Sequence, residues 1–439
     1  MAEEKKFSVI IVGAGPVGLT AAHALSKAGI DFTILEKRET VEEDIGATII
    51  LMPHGLRVLF QLGLEETLRE EGSEFQNAAF QTIADAKVTK YTFFPRAKLI
   101  SLLYNSLPGS HRSRILTNKK VSSIITNPDS SSDISNRVTV TCSDGTSYSS
   151  TIIIGADGIH SQVRQAMYSE PSPFKANYRI LWFSIPRPDS IPSTSGFEAH
   201  GKDFLSQCLN TKEESFMIVY QRIPSHLKPP ITKHVVYTEK DIEDLAKECG
   251  STPLGESGLT LKDVWHQKLR PAGMANLEEG VLKKWSCGKG KIVLVGDAAH
   301  KITPNQGLGL NDGIMDVVGL VNELRKVKDG EEEGELQEAF NRYQNIREGW
   351  AIRDMQTSGF SLELGSWKKG WLVWRVLTGL MGIPGVEGFL LGRMYNELFA
   401  ASGLVLEGEG CEREEGEFFE GRVKWVYSIP RGEGKGGDE

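Results

Sequence analysis

The segment Gly13-Ala14-Gly15-Pro16-Val17-Gly18 constrains this chain more than any other, because it stands between a short apolar run and a helix-forming stretch. Phe7–Val12 is apolar except for Ser8 and carries β-branched residues, the pattern of a strand buried on both faces of a parallel sheet. Leu19 to Ala28 is rich in helix formers (Ala21, Ala22, Ala24, Leu25, Lys27), and Gly29 can end that helix. Phe32–Leu35 reads as the next strand, which completes a strand–helix–strand unit. In such a unit Gly13 permits the tight turn, Gly15 lets the backbone approach a pyrophosphate, and Gly18 lets helix and strand pack closely. The helix N-terminus adds free N–H groups and a partial positive charge. Glu36, at the end of the second strand, can accept two ribose hydroxyl hydrogens. The unit reads as a dinucleotide site and does not by itself separate FAD from NAD.

Composition narrows the class. With 439 residues, 50 Lys+Arg, 58 Asp+Glu and a net charge of −8, the chain reads as a soluble globular protein of two or three structural units. The acidic balance argues against a nucleic-acid partner held by net positive charge. Five cysteines (Cys142, Cys208, Cys249, Cys287, Cys411) show no CxxC spacing, so neither a disulfide framework nor a metal site is expected. The N-terminal apolar run is too short for a signal peptide or a membrane span, which points to the cytoplasm.

Further along, Arg96–Leu107 has helical spacing, Val121–Ile125 and Val138–Cys142 read as strands, and Pro128–Asp133 reads as the turn between them. Ile180–Ile185, Phe216–Arg222 and His234–Tyr237 are strand-like and suggest an antiparallel sheet forming its own region. Trp367, Trp371 and Trp374 recur at helical spacing and should share one packing face. Trp371–Leu404 is apolar but broken by Arg375, Pro384, Glu387 and Arg393. That favours packing on the protein body, or contact with a membrane surface, over a membrane span. Beyond Glu407 the acidic, Gly-rich sequence reads as a loose tail.

Two more glycine corners follow apolar strands. Gly155-Ala156-Asp157-Gly158-Ile159-His160-Ser161 follows Thr151–Ile154, and Gly296-Asp297-Ala298-Ala299-His300 follows Lys291–Val295. The latter continues to Pro304-Asn305-Gln306-Gly307-Leu308-Gly309-Leu310-Asn311-Asp312. Each alone reads equally well as a simple turn. Together and in this order, the three segments resemble the FAD-dependent aromatic hydroxylase-like monooxygenases, the class of p-hydroxybenzoate and salicylate hydroxylases. Within that class the wording of Glu36-Lys37-Arg38, Gly46-Ala47-Thr48-Ile49, Arg114–Val121 and His300–Asn305 is most similar to fungal secondary-metabolite monooxygenases of the paxilline-epoxidase type.

The resemblance implies an α/β fold: a Rossmann-like FAD-binding domain of the glutathione-reductase type, a β-rich substrate domain and a helical C-terminal segment. The expected FAD-binding parts are residues 1–75, 96–172 and 285–350, with substrate-domain strands at 76–95 and the β-rich domain at 173–284. Apolar C-terminal helices are expected at 351–406 and a flexible tail at 407–439. Gly13, Gly15, Gly18 and Glu36 would hold the ADP half of FAD, Asp157 would lie where the family contacts FAD and NADPH, and Asp297 would bond the ribityl chain. Gly307, Gly309, Leu310 and Asn311 would turn backbone N–H groups toward the flavin, and Arg96 would reach it. Ala47 and Ile50 complete the cofactor-binding set. Ile50 stands where relatives often carry Gly, Leu310 where many carry Ala, and Pro95 in place of an acidic residue.

Arg179 and Tyr220 are the candidates for the substrate pocket, Arg179 to anchor a substrate oxygen and Tyr220 to donate a hydrogen bond. His300 reads as a structural histidine beside the cofactor. The implied reaction consumes NADPH and O2 and oxygenates an electron-rich carbon of a lipophilic substrate, by hydroxylation or epoxidation. An FAD-dependent reductase acting on an isoprenoid-like substrate is the alternative on the same fold. Oligomeric state stays open.

Overall fold

The computed structural model describes residues 8–43, 48–74, 77–78, 92–126, 137–168, 173–255, 257–287, 291–327, 334–381 and 406. Among these residues the strands form four sheets. The first has the order Ser286–Cys287, Ile292–Leu294, Ile152–Gly155, Ser8–Val12, Asp31–Leu35 and Ile115–Leu116, parallel except for its first strand. Its central strands are almost wholly buried, which is why they read as continuous apolar runs without alternation. Burying each such Val, Ile or Leu side chain contributes about 1.5–3 kcal/mol.

Register then does what sequence distance conceals. Val12 pairs with Gly155 and Gly155 with Leu294, so the glycine corners at 13, 155–158 and 296 leave three neighbouring strands at the same level. They leave at the carboxyl ends, where open α/β sheets bind ligands. Helices Pro16–Lys27 and Leu308–Leu324 pack against each other on this sheet.

The β-rich region is a second sheet of order His300–Lys301, Gly273–Val281, Lys175–Pro186, Glu214–Arg222, Phe204–Asn210, Ser195–Gly201 and Asn77–Ala78. One face carries Tyr178, Ile180, Leu205, Leu209, Ile218 and Tyr220. The opposite face carries Leu181, Phe183, Met217 and Val219, packed on Leu245 and Ala246 of helix Glu239–Glu248. A small sheet joins Thr48–Leu51, Thr92–Pro95 and Ser73–Glu74.

Several expectations change. His234–Tyr237 is not a strand: the segment runs irregularly, with Val235 and Val236 facing solvent, so its apolar residues had no sheet to join. Thr92–Pro95 pairs with Thr48–Leu51 rather than with the substrate-domain sheet. The boundary at 350 falls inside one continuous helix, Glu335–Gly365, since a lone Gly349 costs only about 1 kcal/mol against Ala. That helix ends before Trp367, whose φ of +53° turns the chain into a new helix, Trp371–Met381. The tryptophans therefore do not share one helix face: Trp367 and Trp374 meet at 5.6 Å between ring centroids, while Trp371 is exposed. The turn at Pro128–Asp133, Ala47, and residues 382–405 and 407–439 lie outside the described residues. Among the described residues no helix is long and apolar enough to cross a membrane.

Candidate active site

At the first corner, Gly13 has φ +101°, and a Cβ there would lie 2.7 Å from the Ala156 carbonyl oxygen. A Cβ on Gly18 would lie 2.0 Å from the Gly13 carbonyl oxygen, so helix and strand meet where no side chain fits. Gly15 differs. Its φ of −72° suits any residue, and a Cβ there would meet no protein atom within 4 Å, although the residue lines a deep cleft. Its missing side chain leaves space for something other than protein. Glu36, buried beside it, accepts the Ala14 N–H at 2.7 Å on one oxygen and the Arg38 N–H at 3.0 Å on the other. Two of its four or so lone-pair directions remain for a ligand.

At the second corner one Asp157 oxygen accepts the N–H groups of Gln162 (2.6 Å) and Val163 (3.2 Å). Its other oxygen is buried without a protein partner, and burial pushes the carboxyl pKa up. An unmet buried acceptor costs about 1–3 kcal/mol, which a bound ligand would relieve.

The third corner begins with Gly296, whose N–H donates to the Asp316 carboxylate at 2.8 Å. Asp297 faces the cleft and accepts from the Lys301 ammonium at 2.6 Å. Gly307, with φ +68°, opens the 17-residue helix Leu308–Leu324 without a side-chain cap. Gly307, Gly309 and Leu310 line the cleft, so the uncapped N–H groups of this first turn are available to a ligand. Asn311 behaves otherwise. It accepts the Met52 N–H at 2.9 Å and donates to the carbonyls of Ile50 (2.9 Å) and Gly307 (2.8 Å). Two of these bonds fasten the end of strand Thr48–Leu51 to the helix and the third stays within the helix's own first turn, and Asn311 does not line the cleft. Ile50 does line it, at a point where a Cβ on Gly307 would come within 3.1 Å of the Ile50 Cβ.

Arg96, the first residue of helix Arg96–Asn105, completes the wall. Burial, then the neighbouring Arg38, lowers its pKa, while Asp297 and Glu36 oppose that; an arginine so placed stays charged. The cleft measures about 720 Å³. Lys37, Arg38, Arg96, Lys119, Lys120 and Lys301 line it against the carboxylates Glu36, Asp157 and Asp297, a positive excess suited to a pyrophosphate. Open space at Gly15, an unmatched acceptor at Asp157 and two uncapped helix starts fit a bound FAD.

A smaller pocket of about 210 Å³ adjoins the cleft and shares Thr48, Ile50, Pro304 and Gly307 with it. Its remaining wall is Ile180, Trp182, Gln207, Leu209, Ile218 and Tyr220 from the large sheet. Tyr220 is fully buried, burial pushes its phenol pKa up, and its O–H donates to Gln207 Oε1 at 2.8 Å. Arg179 is not brought to this pocket. Side chains alternate along a strand, so the neighbours Tyr178 and Ile180 take the pocket face and Arg179 the other. There it donates to Gln221 Oε1 at 2.6 Å and pairs with Glu248 at 3.7 Å. Gln207 escaped the sequence reading. Its signal was a polar residue alternating in step with Leu205 and Leu209.

The family described as FAD binding domain matches residues 6–352. The FAD-dependent monooxygenase dpchE of Colletotrichum higginsianum is 34% identical over 73% of this chain and 72% of its own length. The FAD-dependent monooxygenase srdH of Neurospora crassa is 30% identical over 96% of this chain and 99% of its own. HpxO of Klebsiella pneumoniae, solved with FAD and uric acid, superposes with a TM-score of 0.69 at 18% identity, covering 89% of this chain and 96% of that one. The last is a likeness of fold; the family match extends over the cleft and all its corners. The chain belongs to this FAD binding domain family and is an FAD-dependent monooxygenase.

Proposed function

We propose that this enzyme uses NADPH and O2 to hydroxylate or epoxidise a lipophilic small molecule in fungal secondary metabolism. The observation that carries the reading is the mostly apolar pocket that shares its Thr48, Ile50, Pro304 and Gly307 wall with the cofactor cleft. Bound FAD supplies the passage of electrons from a nicotinamide to O2 and the transfer of one oxygen atom to the substrate.

The chain's own residues bind, orient and exclude water. The N-terminus of helix Pro16–Lys27 takes the pyrophosphate and Glu36 the ribose hydroxyls, with Gly15 leaving the space. Asp297 would accept a hydrogen bond from the ribityl chain, and Asp157 would lie where FAD and NADPH are contacted. The N–H groups at Leu308–Leu310 and the Arg96 cation balance negative charge at the flavin edge. Ile50, Ile180, Leu209 and Ile218 keep water from the oxygen-transfer site, which limits wasteful release of hydrogen peroxide. Among the described residues no second Gly-x-Gly-x-x-Gly follows a strand, which supports transient docking of NADPH on this same domain.

The test is mass spectrometry of products from purified protein given NADPH, isotopically labelled O2 and candidate pathway intermediates. One labelled oxygen per product, with matching O2 uptake, is expected. Substrate turnover with NADPH oxidation and no O2 uptake would replace this reading with the reductase.

A further inference from the structure

We infer that the Tyr220 end of the small pocket is a hydrogen-bond acceptor, so that the enzyme takes substrates presenting a hydroxyl or N–H donor there. The inference rests on the reading of this pocket as the substrate site.

Gln207 sets the polarity. Its amide nitrogen lies 2.7 Å from Glu198 Oε1 and 2.8 Å from the Asn305 carbonyl oxygen. A carboxylate and a backbone carbonyl can only accept here, so the nitrogen must face them and the orientation of the amide follows from chemistry. The amide oxygen is then what faces the Tyr220 hydroxyl at 2.8 Å, and it too can only accept. Tyr220 therefore commits its single proton to Gln207. Burial, and then the Glu198 charge, keeps the phenol protonated.

What remains is lone pairs on the Tyr220 oxygen and on Gln207 Oε1. Their setting is apolar. Tyr220 stands opposite Ile180 and Leu205 in the sheet, and Gln207 opposite Ile218. Trp182 lies on the far side of Ile218, with its ring over Gly273. A ligand ether or carbonyl at Tyr220 would set acceptor against acceptor, whereas a hydroxyl would complete the bond. The donor role expected of Tyr220 from sequence is thus reversed.

The probes are thymol, its methyl ether and para-cymene, which lacks the oxygen. Each is titrated into the FAD-loaded protein without NADPH, with the flavin absorbance perturbation giving Kd. Thymol should bind roughly tenfold more tightly than either analogue, the scale of one buried hydrogen bond left unmade. Tyr220→Phe removes one of the two acceptors and should diminish the preference for thymol over para-cymene while para-cymene binding persists. Gln207→Leu frees the Tyr220 proton and should shift preference toward the ether. Equal binding of thymol and its ether to the wild type, or an undiminished thymol preference in Tyr220→Phe, overturns the inference. Leu209→Trp, which fills the pocket, should abolish the response to all three. If thymol still binds that variant, or no probe perturbs the wild-type flavin, the substrate-site reading itself falls.

Discussion

His300 Nε2 lies 2.5 Å from the Asp316 carboxylate, and neither side chain reaches solvent. The same carboxylate accepts the Arg347 Nε–H at 2.9 Å and the Gly296 N–H at 2.8 Å, and Arg347 reaches on to Asp312 at 2.7 Å. One buried charge thus fastens the turn that carries Asp297 to two helices, from behind the cleft. Burial alone would strip His300 of its proton, but Asp316 outweighs it and His300 rises above 6.5. Asp316 itself falls below 3.8, its own burial outweighed by His300 and Arg347. The imidazole's contribution to stability is complete below pH 6.5 and fades as pH rises through its raised value. The carboxylate's is present above pH 3.8 and is lost as pH falls through its lowered one.

Asp316→Asn leaves Arg347 without one of its two carboxylates and His300 without its own. A loss of about 3–5 kcal/mol is expected in urea unfolding of the FAD-loaded protein. A loss below about 1 kcal/mol, the range of an exposed pair, would mean the network does not hold the turn.

Gly15→Ala and Gly18→Ala should separate folding from cofactor binding. The first has room within the protein and should fold with near-normal Tm yet purify with little flavin. The second would force its Cβ against the Gly13 carbonyl and should lose about 1–3 kcal/mol as well as flavin. Equal flavin content in wild type and Gly15→Ala would refute the role given to that opening.

Glu36→Ala should weaken FAD at least about tenfold, since charge-assisted hydrogen bonds are each worth about 1.5–3 kcal/mol. The ratio of flavin to protein absorbance after dialysis reads it directly. A normally yellow protein counts against the assignment.

Asp354 is held at about 7, chiefly by burial and then by the nearby Asp312, against the pull of Arg353 and Arg347. A carboxyl raised in the folded state binds extra protons there, so stability declines as pH rises from 3.8 toward 7. Asp354→Asn should therefore gain in Tm over wild type between pH 5 and pH 8, by an amount that grows with pH. A pH-independent difference would contradict the shift.

Arg179→Ala should keep FAD, ligand binding and coupling of NADPH oxidation to product, at a cost of about 1 kcal/mol or less in stability. Uncoupled turnover would return Arg179 to the substrate site.

Local physics made much of this protein legible without coordinates. A glycine's backbone freedom, a doubly buried strand's unbroken apolar run and a helix former's spacing are properties of short segments. The corners at Gly13, Gly155 and Gly296 could be found one by one for that reason. Their meeting could not: it depends on strands Ser8–Val12, Ile152–Gly155 and Ile292–Leu294 lying side by side, a matter of pairing between residues more than a hundred positions apart. The faces of the large sheet were hidden for a related reason. Lys175–Ile180 alternates polar with apolar, which sets Arg179 on the face opposite Tyr178 and Ile180. But Leu181–Ile185 is apolar without a break except for Ser184, and which of the two faces meets the cofactor cleft is decided only by the sheet's packing. Asn311 and Gln207 show the same limit at side-chain scale. An amide can hold a cofactor, brace two backbone segments or aim a tyrosine's proton, and only the atoms packed around it decide which.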